Sequence, residues 1–237
     1  MLEGHGQKLL LRSLIMVIVF ILAVLHPSWL VHLFLWDFGF FRVYHVAWLL
    51  MMLGMLQVFF PQFNKHVSCG RHLAKHFQPT THLYTEEQLM DSVRANNKGA
   101  LRSALFWAVI LSMIGVLRYM GILGARGVHL LVVFFYFADE FCINVWCPFR
   151  AWIIRNLCCN TCRIFNWGHF MIFSPYLFLP SFWTWSLVAV SIAILLQWEF
   201  MHARHADRFS AITNANLQCI NCLKARCHYT KGRQAHA

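Results

Sequence analysis

Apolar residues run through this chain in stretches long enough to cross about 30 Å of hydrocarbon, which takes roughly 20 residues of helix. Four such spans are clear: Leu9 to His26, Tyr44 to Phe60, Leu101 to Ile122 and Val128 to Trp146. Two more follow. The run from Phe165 to Leu179 is short and contains Pro175, and the run from Phe182 to Met201 begins after Pro180 and carries Trp198 and Glu199 near its end. The pattern predicts an all-α polytopic membrane helix bundle of about six transmembrane helices. Lys8 and Arg12 ahead of the first apolar core resemble a secretory signal, but His26-Pro27-Ser28-Trp29 offers no small-x-small cleavage site, so an uncleaved anchor is expected.

Between the second and third spans lies the longest polar stretch, Pro61 to Gly99. Its Thr85-Glu86-Glu87-Gln88 has the spacing of a capping box, ahead of an amphipathic helix expected to end near Asn96-Asn97. Pro27 to Phe41, rich in Trp and Phe, reads as an interfacial segment with its rings at headgroup level. With no internal repeat or separate soluble domain, residues 1–237 are expected to form one integral membrane domain. Within it, residues 61–100 make a cytoplasmic loop with an amphipathic helix, and residues 147–164 and 202–237 a cysteine-containing loop and tail.

Composition sharpens this picture. Of 237 residues 59% are hydrophobic and 12% charged, half the charged share of an ordinary soluble domain. A formal charge of +11 can signal nucleic-acid binding, but here the basic residues sit between apolar spans and carry no such partner. They orient the protein instead. With a cytoplasmic amino terminus, seventeen Lys and Arg fall inside and three (Arg42, Arg118 and Arg126) outside, which favours both termini in the cytoplasm of a cell inner membrane. The weak point is Phe165 to Leu179: if it dips in and returns, the basic tail emerges on the wrong side.

Eight of the nine cysteines cluster late. Cys159-Asn160-Thr161-Cys162 and Cys219-Ile220-Asn221-Cys222 are two C-x-x-C pairs, the spacing by which two thiolates of one turn grip a metal. Charge bias puts both pairs on the cytoplasmic face, on either side of the last helical hairpin, where thiols are kept reduced and ligation is favoured over disulfides. Four thiolates suit zinc or an iron-sulfur cluster. The surplus cysteines, Cys158 and Cys227 together with Cys147, lean towards iron-sulfur, and Cys147-Pro148 matches the Cys-Pro that ends bacterial ferredoxin ligand runs. Cys142-x4-Cys147-Pro148-Phe149-Arg150 resembles, over about ten residues, the Cys-Pro signature of polyferredoxin-type membrane proteins. That resemblance implies helices passing electrons between quinones and cytoplasmic clusters. The chain departs from the pattern by lacking the preceding Cys-Gly and the tandem ferredoxin runs. Cys142 by itself reads as a small buried hydrophobe.

Asp139 and Glu140 in the fourth span and Glu199 in the last are costly in lipid and must face the bundle, pair, or hold a proton. Arg150 and Arg155 are the nearby candidate partners. His26, His45 and His129 fall at outer helix ends, where convergence can hold a b-type haem, a metal or a quinone head, although no spacing demonstrates it and interface histidines bonded to water are the simpler reading. No protease, hydrolase, Walker or Rossmann motif occurs. The expectation is an iron-sulfur electron-transfer subunit of a membrane complex, in contact with lipids and other membrane or redox subunits. The alternatives are a scaffold or transporter with structural zinc, and a membrane thiol oxidoreductase.

Overall fold

A computed structural model describes residues 3–29, 32, 36–38, 41–60, 77–80, 84–155 and 161–218. The chain is helical. In order come α1 (Glu3–Leu25), α2 (Val43–Phe59), α3 (Glu86–Tyr119), α4 (Ala125–Asn144), a π turn (Phe149–Ile154), a broken run containing α5 (Gly168–Phe173), and α6 (Phe182–Arg204). A two-residue antiparallel pair, Asp37–Phe38 with Phe41–Arg42, leads into α2.

Among the described residues four helices are long and apolar enough to cross a membrane: Gln7–Leu25 of α1, then α3, α4 and α6. Their apolar surface points outward. None of the apolar window of α1 is buried inside the fold, and α6 buries only 28% of its window. Along α3, Leu101, Leu105, Val109, Met113 and Val116 recur every three or four residues and stay exposed, while Ala100, Ser103, Trp107 and Ile114 turn inward. A water-soluble bundle would reverse that arrangement, so these helices mark a membrane protein.

Small and weakly polar residues line the inside, where close helix approach substitutes for a hydrophobic driving force. Ser103, Ser174 and Ser191 are fully buried. The Ser103 hydroxyl donates to the Gly99 carbonyl at 2.9 Å, Ser191 to Val188 at 2.7 Å, and the Trp107 indole to the Ser174 hydroxyl at 3.1 Å. Around them Met55, Val132, Ile172, Phe173, Leu187, Val188 and Ile194 form the main apolar core.

Two expectations are revised. The capping box is present, with the Gln88 amide N–H bonded to Thr85 Oγ1 and the Thr85 N–H to Gln88 Oε1, but the helix it opens does not end at Asn96-Asn97. It continues unbroken to Tyr119, because nothing there removes a backbone donor, and Gly99 is used for packing. A Cβ on Gly99 would lie 3.2 Å from Ile154 Cα, so glycine is what lets the π turn rest against α3. The second revision concerns the run expected over Phe165 to Leu179. It is a 3-10 turn at Phe165–Trp167, the six-residue α5, and a second 3-10 turn at Ser174–Phe178. Pro175 supplies no N–H and breaks the α pattern there.

Contacts fix the course of this broken run. Arg163 at its start donates to Asn97 on α3, Ser174 meets Trp107, and the Phe178 ring lies so close to Gly115 that a Cβ there would be 2.7 Å from it. Asn97 and Gly115 stand 18 residues apart on one helix, a rise of about 27 Å. We call the end of the bundle holding the start of α3 and the last turns of α4 and α6 the cysteine end.

Candidate functional site

The cysteine end is organised by one arginine. Arg163, in the turn after Cys162, is 8% exposed and presents both terminal nitrogens to Glu199 of α6, at 2.7 and 2.5 Å. Its Nε donates to Asn97 Oδ1 at 3.1 Å, and its carbonyl accepts the Trp198 indole N–H at 2.9 Å. The Trp167 indole adds a bond to Glu199 Oε1 at 2.8 Å. A bidentate guanidinium–carboxylate pair with this many flanking donors is a rigid joint, tying the turn of Cys162 to α3 and α6 at once. A cleft lined by Asn97, Arg163, Glu199, Phe200, His202 and Ala203 opens beside it.

Cys162 itself is buried, packed with Ala100 and Ile164 and flanked by Phe149, Ile154 and Trp167. Its C-x-x-C partner Cys159, together with Cys158, Cys219, Cys222 and Cys227, lies outside the described residues. The chain leading to Cys219 is described as far as Gln218, and it is pinned to the same end. Phe209 stacks on His202 at 3.9 Å and meets the Trp198 ring at 4.9 Å. The Ala215 N–H bonds the Gln78 carbonyl at 2.8 Å, the Thr80 N–H bonds the Thr213 carbonyl at 3.0 Å, and Gln218 Nε2 donates to Ala211. The loop before α3 and the tail after α6 are thereby clipped together.

Cys147 sits just beyond α4, where the chain turns from Asn144 through Val145 and Trp146. Its sulfur accepts the Arg150 backbone N–H at 3.5 Å and is hydrogen-bonded by the Cys142 thiol. That thiol, the N–H groups of Arg150 and Phe149, and the Arg150 charge outweigh burial and bring the Cys147 pKa down to about 6. Alkylation of Cys147 in the folded protein is therefore expected to fall off as pH drops through about 6. A cysteine with an unperturbed thiol would lose reactivity already below about 8.5. A rate profile by mass-spectrometric counting of iodoacetamide adducts between pH 5 and 9 checks this, and a midpoint above 8 would contradict it.

The acids of α4 meet a cation from the far end of the sequence. Arg12 of α1 places Nη1 3.0 Å from Asp139 and Nη2 3.4 Å from Glu140, donates to the Tyr136 carbonyl at 2.8 Å, and lies over the Tyr136 ring at 4.0 Å. Adjacent helix positions diverge by about 100°, and the breadth of one guanidinium spans both. Asn144 Nδ2 donates to Glu140 Oε1 at 3.0 Å. Gly168 keeps this site open, since a Cβ there would collide with Asp139 Oδ1.

The three histidines take separate places. His45 Nδ1 accepts the Arg42 N–H at 3.0 Å, capping α2, and its ring packs on Trp183 at 4.4 Å. His129 bonds the Tyr176 hydroxyl at 3.0 Å, and His26 lies 6.4 Å from the Trp29 ring. Among the described residues no three His, Cys, Asp or Glu side chains come together as a metal site. Sequence reading missed Arg163 and Trp167 as partners of Glu199, Asn97 as a partner of Arg163, and Arg12 as the partner of the α4 acids. The available signal was acids within apolar helices, Asp139 and Glu140 in α4 and Glu199 in α6, which demand a cation somewhere. No family model, characterised protein or solved structure matches this chain.

Proposed function

We propose that this is a six-crossing membrane protein whose cysteine end faces the cytoplasm and holds a Cys-ligated metal centre, an iron-sulfur cluster, that passes electrons within an inner-membrane complex. One observation carries the reading: the turn containing Cys162 and the tail leading to Cys219 are fixed to the same residue, Trp198, through its bond to Arg163 and its contact with Phe209. A four-thiolate site would take Cys159, Cys162, Cys219 and Cys222 as ligands, with Cys158 and Cys227 as second-site ligands. Cys147, which its Cys-Pro step suggests as a ligand, is a further second-site candidate.

Six crossings are supported by the course of the broken run, whose contacts climb about 27 Å along α3, close to the hydrocarbon thickness. The seventeen-to-three bias of basic residues then orients the cysteine end inward, in a compartment that keeps thiols reduced. The ion networks favour a static role for the acids, because Glu199 and Asp139 each sit within 3.0 Å of an arginine nitrogen, an arrangement suited to locking helices together.

Cys159→Ser combined with Cys222→Ser removes one ligand from each pair and is expected to abolish bound metal while the protein still extracts as a folded monodisperse species. Elemental analysis of the purified double variant is the check. Full metal retention would overturn the ligand assignment, and stoichiometric zinc in the parent would make the centre structural.

A further inference from the structure

The cleft beside Arg163 takes no part in the metal centre or in the clip between loop and tail. It has a volume of about 860 Å³, within the range of about 300–1,000 Å³ in which small ligands are held. One wall is the start of α3, with Met90 and Val93, and the other is the end of α6, with Leu196, Phe200, Ala203 and Ala206. Leu196 and Phe200 are 61% and 54% exposed and belong to the apolar surface that α6 turns outward, so the rim of the cleft is continuous with the lipid-facing side of the bundle.

The floor is polar and has unused hydrogen-bonding capacity of both kinds. Arg163 uses three of its N–H donors, on Asn97 and the two Glu199 oxygens, and the guanidinium keeps others. Asn97 accepts through Oδ1, and its Nδ2 has no partner among the described residues. The Glu199 carboxylate takes three bonds, two from Arg163 and one from Trp167, and retains acceptor capacity where its side chain is exposed. His202 is held by ring contacts, stacked on Phe209 and edge-to-face with Trp198, while neither ring nitrogen is hydrogen-bonded among the described residues. A neutral imidazole there offers one donor and one acceptor. Arg163 and Glu199 are the only charged side chains of the lining, and their charges cancel.

We propose that this cleft binds an uncharged, hydroxyl-headed membrane lipid of the diacylglycerol class. A hydroxyl both donates and accepts, which matches the floor: it accepts from Arg163 or Asn97 and donates to Glu199 or His202. The ester carbonyls supply acceptors for the remaining N–H groups, and the acyl chains leave over Leu196 and Phe200 into the bilayer. A phosphate head sets negative charge against Glu199, and a head with carbonyls alone leaves the Glu199 carboxylate facing another acceptor, so both fit less well. The bound lipid lies between α3 and α6, which Arg163 alone bridges at this level through Asn97 and Glu199.

The test uses the full chain in phosphatidylcholine vesicles doped with a diacylglycerol that carries a photoactivatable diazirine on one acyl chain. After illumination and digestion, mass spectrometry should find label on the peptides of Met90 and Val93 and of Leu196 and Phe200. The yield should be at least about fivefold above that of a phosphatidic acid with the same chains, the discrimination expected when a charged head meets an opposing buried group. Ala203→Trp fills the cleft from its wall and leaves the floor intact, and it should reduce the label on the α3 peptide to background. His202→Phe keeps the ring contacts with Phe209 and Trp198 but removes both nitrogens, and it should lower the yield severalfold, a change that packing alone would not produce. Equal labelling by the two lipids overturns the proposal, since the cleft would then be a general lipid contact. So does labelling that neither variant diminishes. None of these outcomes depends on bound metal, so a failed cleft leaves the cluster assignment standing, and an absent cluster leaves the cleft.

Discussion

Replacing Arg163 with Ala is expected to cost about 3 kcal/mol of stability and to loosen the whole cysteine end. Removing one partner of a buried ion pair generally costs about 3–5 kcal/mol, because the other charge is left uncompensated. The lower figure applies here because the Glu199 side chain is 35% exposed and water can reach it. The Arg163 side chain also supplies the bond to Asn97, so its loss uncouples α3 from the turn of Cys162 as well. The measurement is the thermal unfolding midpoint in detergent. Arg163→Met together with Glu199→Leu, which removes both charges, should recover more than half of the loss. A double variant no better than R163A would show that the ion pair is not what holds this end together.

Arg12→Ala is the second large effect, also about 3 kcal/mol, from leaving Asp139 and Glu140 without their shared cation. Here the consequence is long-range, since the pair joins the first helix to the fourth. A triple variant, Arg12→Ala with Asp139→Asn and Glu140→Gln, should sit closer to the parent than Arg12→Ala alone, and the difference is the coupling energy. Additive losses across the cycle would mean that α1 packs on α4 by apolar contact and that the network is incidental. Gly168 belongs to the same unit, because only a residue without a side chain leaves the Asp139 carboxylate room to face Arg12.

The helices were legible because lipid imposes length and apolarity on each crossing, and a capping box marks a start by local chemistry alone. Thr85 to Gln88 is such a case. What the sequence hid is long-range. Arg12 and Asp139 are 127 positions apart and Arg163 and Glu199 are 36 apart, so local spacing pointed to Arg150 and Arg155 as partners of the acids. Asn96-Asn97 suggested a helix end on composition, yet Asn97 is retained inside the helix as the acceptor for Arg163. His45 offered a ring for haem or quinone and is used to cap α2. In each case a polar residue's role is set by the partner that tertiary packing supplies, which the chain's own periodicity does not encode.

The most direct measurement of the central claim is the iron, acid-labile sulfide and zinc content of anaerobically purified full-length protein, taken with its ultraviolet-visible spectrum. Iron and sulfide in equal amounts, with broad absorbance near roughly 400 nm that bleaches on reduction, is the expected result. Protein that carries neither iron nor zinc when purified without oxygen or chelator would contradict the metal centre outright.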